Sequence, residues 1–330
     1  FNGRVSHFNS VVEFSKFFNI DYYTFEIVPD REKFLLIKNA IPHNRDIFYY
    51  ELIKHWNQSD KNKRDEIGKL FFNKAQINKD LESIEIVDYT SYQNKSNFSS
   101  LKIPEGKFIS IFGSSRNEYE SVEGWENNFL SGDDEEIIIE ICRNFKNKNF
   151  IYRAHPNLKL LDNQQTKNIK KLKDLNNLIV FDSFSKISTY DLIRISEKVI
   201  VFGSTVGVEA TFFRKPVICI GPSLYEKLDI AYFPKDLEEL RKLIFNNNLL
   251  PRSKEDAVKY GFFELTRGSK LSEHLDSFDL KLNILKRIKI LVFKVLKILS
   301  SLNFNLVLKY LKSISDKRVR KHIYNFFKYN

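Results

Sequence analysis

From residue 106 onward the chain repeats one pattern: a short, continuously apolar run, a few small or polar residues, and then a stretch with helical spacing. The apolar runs are KFISIFG, NFIYRA, NLIVFDS, KVIVFG and KPVICIG. Between and after them, DDEEIIIEICRNF, TYDLIRISE, TVGVEATFF and PKDLEELRKLIFN carry helical stripes, the first with acids placed against the helix dipole. A strand that is apolar on both faces must be covered on both faces. This alternation therefore specifies an α/β fold with a parallel sheet between layers of helices. Ligands of such sheets sit beyond the carboxyl ends of the strands. Those ends here read Gly113-Ser114-Ser115, Arg153-Ala154-His155-Pro156, Asp182-Ser183, Gly203-Ser204-Thr205 and Gly221-Pro222-Ser223.

The chain has 330 residues, more than one ordinary core accommodates. Residues 1–100 read as a separate acceptor-side domain of mixed helix and loop, with a strand at YYTFEIV, amphipathic stretches at 45–56 and 63–73, and a polar linker over 76–100. That domain reads as incomplete, since FNGR leads at once into structured-looking sequence. Residues 101–255 read as a second domain holding the alternating strands and helices, and 256–330 as a helical extension ending in a basic tail. Cys142 and Cys219, the two cysteines, lie in apolar runs and read as core thiols, which argues against a disulfide framework and suits a reducing compartment. No run of about 18 uncharged apolar residues occurs, and no signal peptide opens the sequence.

The net charge of +11 resides in the tail. Residues 281–330 hold thirteen Lys and Arg against the single Asp316, and the other 280 residues nearly balance. Within ILKRIKILVFKVLKIL, Lys286, Lys289, Lys294 and Lys297 share one side of a helical projection and Ile284, Ile288, Leu291, Val295 and Leu299 the other. That pattern suits a helix lying in an anionic interface, or one packed on the protein itself. It lacks any nucleic-acid-binding motif, so nucleic acid is not an expected partner.

Gly203, Ser204 and Thr205 stand where a strand gives way to a helix. Free N–H groups, two hydroxyls and little bulk there would cradle a phosphate, with Glu209 one turn on to take ribose hydroxyls; helix capping by Ser204 or Thr205 would explain the same residues. His155, fixed by Pro156 and beside Arg153, would donate a proton or hydrogen bond to a departing phosphate, unless it is simply structural. Ser114, Ser115 and Ser183 add hydroxyls at the same edge, and Glu118 is the candidate base for an attacking hydroxyl. Walker, GxGxxG, HExxH and GxSxG motifs are missing, and no tightly bound metal is expected.

In order and spacing, SSRNEYES, YRAHPNL, FDSFSKISTYDLIRISEKVIVFGSTVGVEATFFRKPVICIG and PSLYEKL resemble the capsule polysaccharide biosynthesis family, which includes bacterial capsular Kdo transferases; FNGR resembles a motif near its amino terminus. The resemblance spans roughly residues 105–230. It implies a GT-B-like architecture of two Rossmann-like domains facing a cleft, and metal-independent transfer of a sugar from a nucleotide donor, CMP-linked by preference, with no tightly bound cofactor. The acceptor would be a growing glycan or glycolipid. It assigns His155 to the leaving phosphate, Ser204 and Thr205 to phosphate binding and Glu209 to the nucleoside, with Asn2, Gly3 and Arg4 facing the cleft. It also implies a place at the cytoplasmic face of the bacterial inner membrane, beside other polysaccharide-synthesis proteins. Teichoic-acid polyol-phosphate transferases share the His-Pro, but their TDYSS-like turn differs from GSTVG here. An inactive nucleotide-sugar-binding scaffold is a further alternative.

Overall fold

The computed structural model describes residues 2–28, 33–77, 106–119, 121–125, 130 and 132–270. The expected linker over 76–100 falls almost entirely outside these residues, and the basic tail at 281–330 entirely so.

The alternating region folds as its pattern requires. Strands β3 (Phe108–Phe112), β4 (Asn149–Arg153), β5 (Leu178–Phe181), β6 (Ser196–Val201) and β7 (Val217–Cys219) form one parallel sheet in the order β5-β4-β3-β6-β7. The chain runs outward from β3 to β5 and then returns to lay β6 on the other side of β3. The topological reversal therefore falls between β3 and β6, where a crevice opens in doubly wound sheets. Register makes the strand ends level, because Phe112 lies opposite both Arg153 and Val201, and Val201 opposite Cys219. Turns 113–115, 154–156 and 203–205 consequently leave the sheet side by side.

Two apolar layers cover the sheet. Ile109 and Ile111 point into one with Ile137, Ile138 and Ile141 of α4 (Asp134–Asn144), Ile169 of α5 (Gln164–Lys171), and Leu240 and Ile244 of α8 (Leu237–Phe245). Phe108 and Phe112 point into the other. There they meet Leu192 and Ile193 of α6 (Thr189–Ile195), Val208 of α7 (Val206–Phe212) and Tyr260 and Phe263 of α9 (Lys254–Thr266). Side-chain caps start several of these helices: Ser188, Asp236 and Ser253 each accept a backbone N–H from three residues on. Cys142 and Cys219 are buried free thiols, as their apolar contexts predict.

The amino-terminal part contributes α1 (Ser6–Phe17), the antiparallel hairpin of β1 (Tyr23–Ile27) and β2 (Lys33–Lys38), α2 (Arg45–Gln58) and α3 (Arg64–Ile77). The α/β class holds, and the carboxyl-terminal sheet is Rossmann-like. In the amino-terminal part the described strands make an antiparallel sheet, to whose β2 edge β8 (Ser269–Lys270) adds. Residues 1–271 cluster as one compact unit. Phe48 and Leu52 of α2 and Phe72 of α3 join the same core layer as α9, and the rings of Phe72 and Phe212 stack at 3.9 Å. Helix α9, assigned by sequence to an extension beginning at 256, thus packs on α2 and α3. The cause is close backbone approach: a Cβ at Gly68 would lie 2.4 Å from the Val258 carbonyl oxygen, and one at Gly261 2.6 Å from that of Gly68.

Candidate active site

The level strand ends enclose a cavity of ≈ 210 Å³. His155, Ser114, Ser115, Glu118, Gly203, Ser204 and Thr205 all line it, so residues separated by some ninety positions in sequence meet at the crevice between β3 and β6. Arg4 closes it from the amino-terminal part.

His155 emerges from β4 and starts a short 3-10 turn with Pro156, and its Nδ1 accepts the Asn157 backbone N–H at 3.2 Å. In the neutral ring the proton therefore sits on Nε2. Burial lowers the imidazole pKa; the Glu118 carboxylate opposes that shift and the Arg153 guanidinium adds to it. The ring is accordingly neutral at physiological pH and suited to donate a hydrogen bond from Nε2. Transfer of a full proton, the other role the sequence allows, would require a charged imidazolium that this surrounding disfavours. Glu118 accepts from the Asn157 side-chain amide at 2.8 Å, so one residue steadies both His155 and the carboxylate.

The turn after β6 is shaped by its neighbour after β7. Gly203 has φ +89°, and a Cβ there would stand 1.9 Å from the Pro222 carbonyl oxygen. Ser204 is partly a cap, as its Oγ accepts the Val206 N–H at 3.3 Å while its carbonyl accepts the Tyr225 hydroxyl at 2.8 Å. Thr205, exposed at the helix start, makes no side-chain cap. Since α7 has seven residues, the hydroxyls and N–H groups of this turn matter more than a helix dipole.

Other expected residues go elsewhere. Ser114 lines the cavity but donates its hydroxyl to Asp134 and contacts the Tyr119 hydroxyl, which makes it part of the wall. Arg153 is buried, with Nη1 donating to the Asp182 carbonyl at 3.3 Å, and it acts on the site through its field on His155. Neither Arg153, Ser183 nor Glu209 belongs to the cavity lining. Glu209 points to Tyr190, and its burial raises the carboxyl pKa to about 7. Asn2 is buried and donates to Glu26 at 3.4 Å, and a Cβ on Gly3 would meet Ile41; of this trio Arg4 alone lines the cavity.

Arg4 pairs with Glu26 at 3.5 Å and approaches Nε2 of His43 at the same distance. With the imidazoles neutral, it is the cation of the lining, and Glu118 is the carboxylate. Burial, helped by Arg4 and Arg267, drives the His43 pKa down to about 3. Sequence reading missed His43, Tyr119, Trp125, Phe202, Leu224, Tyr225 and Tyr260, which complete the lining. The PSLYEKL segment carried a signal for Tyr225; His43 and Trp125 come from loops whose spacing announces nothing. Among the described residues no cluster of three or more His, Cys, Asp or Glu is arranged to hold a metal ion, and no helix is long and apolar enough to cross a membrane.

Residues 133–232 match the model of the family described as capsule polysaccharide biosynthesis protein. This is the family the sequence resembles, and the match contains His155, the 203–205 turn and PSLYEKL while stopping short of SSRNEYES. No curated protein sequence matches. Similar solved structures include KpsC of Thermosulfurimonas dismutans as a β-Kdo 2,7 transferase, 16% identical over 77% of this chain and 83% of that one, with a TM-score of 0.42. The β-Kdo 2,4 transferase from the same organism is 10% identical over 78% and 84%, with a TM-score of 0.39. A Methanocaldococcus jannaschii UDP-GlcNAc 2-epimerase, solved with UDP-GlcNAc and UDP, is 13% identical over 66% and 51%, with a TM-score of 0.31.

Proposed function

We propose that the chain is a glycosyltransferase of capsule or surface polysaccharide synthesis that takes its sugar from a nucleotide donor. The observation carrying this reading is the convergence of Arg4, His155 and Thr205 on one cavity at the β3/β6 crevice, within reach of the Glu118 carboxylate. A donor phosphate lying against Arg4 and the Thr205 hydroxyl would receive the Nε2–H of His155. As the bond between anomeric carbon and phosphate oxygen breaks, negative charge gathers on that oxygen, and a fixed donor is worth most at such a point. The acceptor hydroxyl oxygen forms the new bond to the anomeric carbon, and its proton passes to a base, the role this reading gives to Glu118. No step in this scheme calls on a metal ion.

The family resemblance favours a CMP-linked, Kdo-like donor and a glycan or lipid-linked acceptor. In that setting the chain would work at the cytoplasmic face of the inner membrane, in company with other polysaccharide-synthesis proteins. Thermal-shift titration with CMP, CDP, UDP and GDP tests the donor site, because a ligand that binds only the folded state raises the melting temperature. We expect a shift with CMP, unaffected by EDTA. His155→Ala should retain that shift and lower the rate of transfer about 10²–10³-fold. Preference for UDP or GDP would remove the cytidine assignment, and unchanged transfer in His155→Ala would remove the leaving-group role.

A further inference from the structure

Gly113, just past β3, still bonds across the sheet: its N–H donates to the Arg153 carbonyl at 3.0 Å. The chain then turns into the segment that carries Ser115 and Glu118 to the cavity, and its backbone groups need other partners. One side chain supplies two of them. Gln165 of α5 donates from Nε2 to the Ser114 carbonyl at 3.1 Å, and its Oε1 accepts the Arg116 N–H at 3.3 Å. The amide thus brackets Ser115 much as a neighbouring strand would. Glu118 follows directly, since its own N–H donates to the Ser115 carbonyl at 3.0 Å and closes the 3-10 turn Arg116–Glu118.

Gln165 can do this because it is itself fixed. The reciprocal cap between Asn163 and Thr166 sets the first turn of α5, and Gln165 within that turn is 3% exposed. Its second Nε2 proton goes to Glu135 Oε1 at 3.2 Å. Turned over, the amide would set its oxygen against two acceptors, the Ser114 carbonyl and the Glu135 carboxyl, and its NH2 against the Arg116 N–H. One orientation alone satisfies all three partners. A buried amide is costly unless it is bonded, and two of these three bonds are spent on the segment leading to Glu118. At the far end of that segment a second amide, Asn157, donates from Nδ2 to the Glu118 carboxylate at 2.8 Å.

Resting on the glycosyl-transfer reading above, we propose that Gln165 and Asn157 are positioning residues of the reaction. Gln165 sets where the segment leaves β3, Asn157 turns the carboxylate at its end, and together they hold Glu118 where the acceptor oxygen gives up its proton. Neither lines the donor cavity, so they govern the rate of transfer rather than the binding of the donor.

Two independent readouts test this on the full chain: release of CMP from CMP-linked Kdo with water as the acceptor, and amide hydrogen exchange without ligand. Gln165→Leu and Asn157→Leu should each lower kcat at least 10-fold and leave KM for the donor within 3-fold. Gln165→Glu keeps the side-chain shape but loses both amide donors, and should show the same fall in kcat should Gln165→Leu fold poorly. Added to Glu118→Gln, either leucine variant should cost less than a further 3-fold, because the base is already gone. In Gln165→Leu the Arg116 amide should exchange at least 10-fold faster, with the amides of β3 unchanged. A lowered melting temperature with unchanged kcat would mean that the two amides serve packing alone and would overturn the proposal. Losses that add in full to that of Glu118→Gln, or unaltered exchange at Arg116, would overturn it too. No CMP release from the unaltered chain would instead defeat the donor assignment on which the inference rests, and full release in Glu118→Gln the base assignment.

Discussion

His43 and His155 face one cavity, and burial lowers the pKa of both, but their neighbours differ. His155 has the Glu118 carboxylate to moderate the shift, whereas His43 has Arg4 and Arg267 to deepen it. For His43 the consequence is a definite sign in the pH dependence of stability. The unfolded ring binds a proton below about pH 6.5, whereas the folded ring stays neutral until about pH 3. Between these values the unfolded state holds more protons, so stability present above pH 6.5 is lost as the pH falls. Discounted for its partial exposure, the loss amounts to about 3 kcal/mol by pH 4. Glu135 and Glu209, whose carboxyl pKa values burial raises to about 7, act oppositely and gain stability as the pH falls from about 7 to 4.5. The measurement is therefore a difference: melting temperature from pH 7 to 4 should fall less steeply in His43→Gln than in the unaltered chain, and parallel slopes would show that His43 titrates normally.

At the level of elements, the site depends on two turns pressed together. Gly203 and Pro222 belong to turns after neighbouring strands, and the 1.9 Å a Cβ would leave between them admits no side chain. Gly203→Ala should cost more than about 2 kcal/mol, from the left-handed backbone alone and from displacement of the Pro222 carbonyl. Circular-dichroism melts would register this as a fall of several degrees, and an unchanged melting temperature with full nucleotide binding would mean the turns are not clamped. The same elements show what could be read from sequence. β3, β4, β6 and β7 were legible because a strand covered on both faces must be apolar throughout, and their ends named His155 and the 203–205 turn. Helix α5 was not legible, since in QQTKNIKK the buried side chains are the polar Gln165 and Asn168 beside a single apolar Ile169, and the helix relies on a reciprocal cap between Asn163 and Thr166. The hairpin partner KFLLIK was missed, and helix α9 was assigned to an extension, for another reason. Their places are set by contacts with distant segments, β1 and β8 for the one and α3 for the other. His43 and Trp125 escaped notice for that reason too, because tertiary folding alone brings them to the cavity.

For the molecule as a whole, charge separates one part from the rest. The thirteen basic residues against one acid in 281–330 stand beside a remainder that nearly balances, so attraction to an anionic surface, if the chain has it, must come from the tail. Each Lys or Arg near an anionic leaflet contributes about 1 kcal/mol, and the contribution weakens with ionic strength. The apolar residues spaced among the lysines at 284–299 would add a component that salt does not remove. Two quantities therefore separate a membrane-binding tail from one that folds onto its own protein. Co-sedimentation with vesicles rich in phosphatidylglycerol should be strong for the full chain at low salt and reduced, but not abolished, at 0.5 M salt. A chain ending at Leu271, where the compact unit ends, should remain in the supernatant while keeping its nucleotide-induced thermal shift. Equal sedimentation of both chains would dismiss the membrane role, and loss of the thermal shift on truncation would mean that the tail supports the donor site itself.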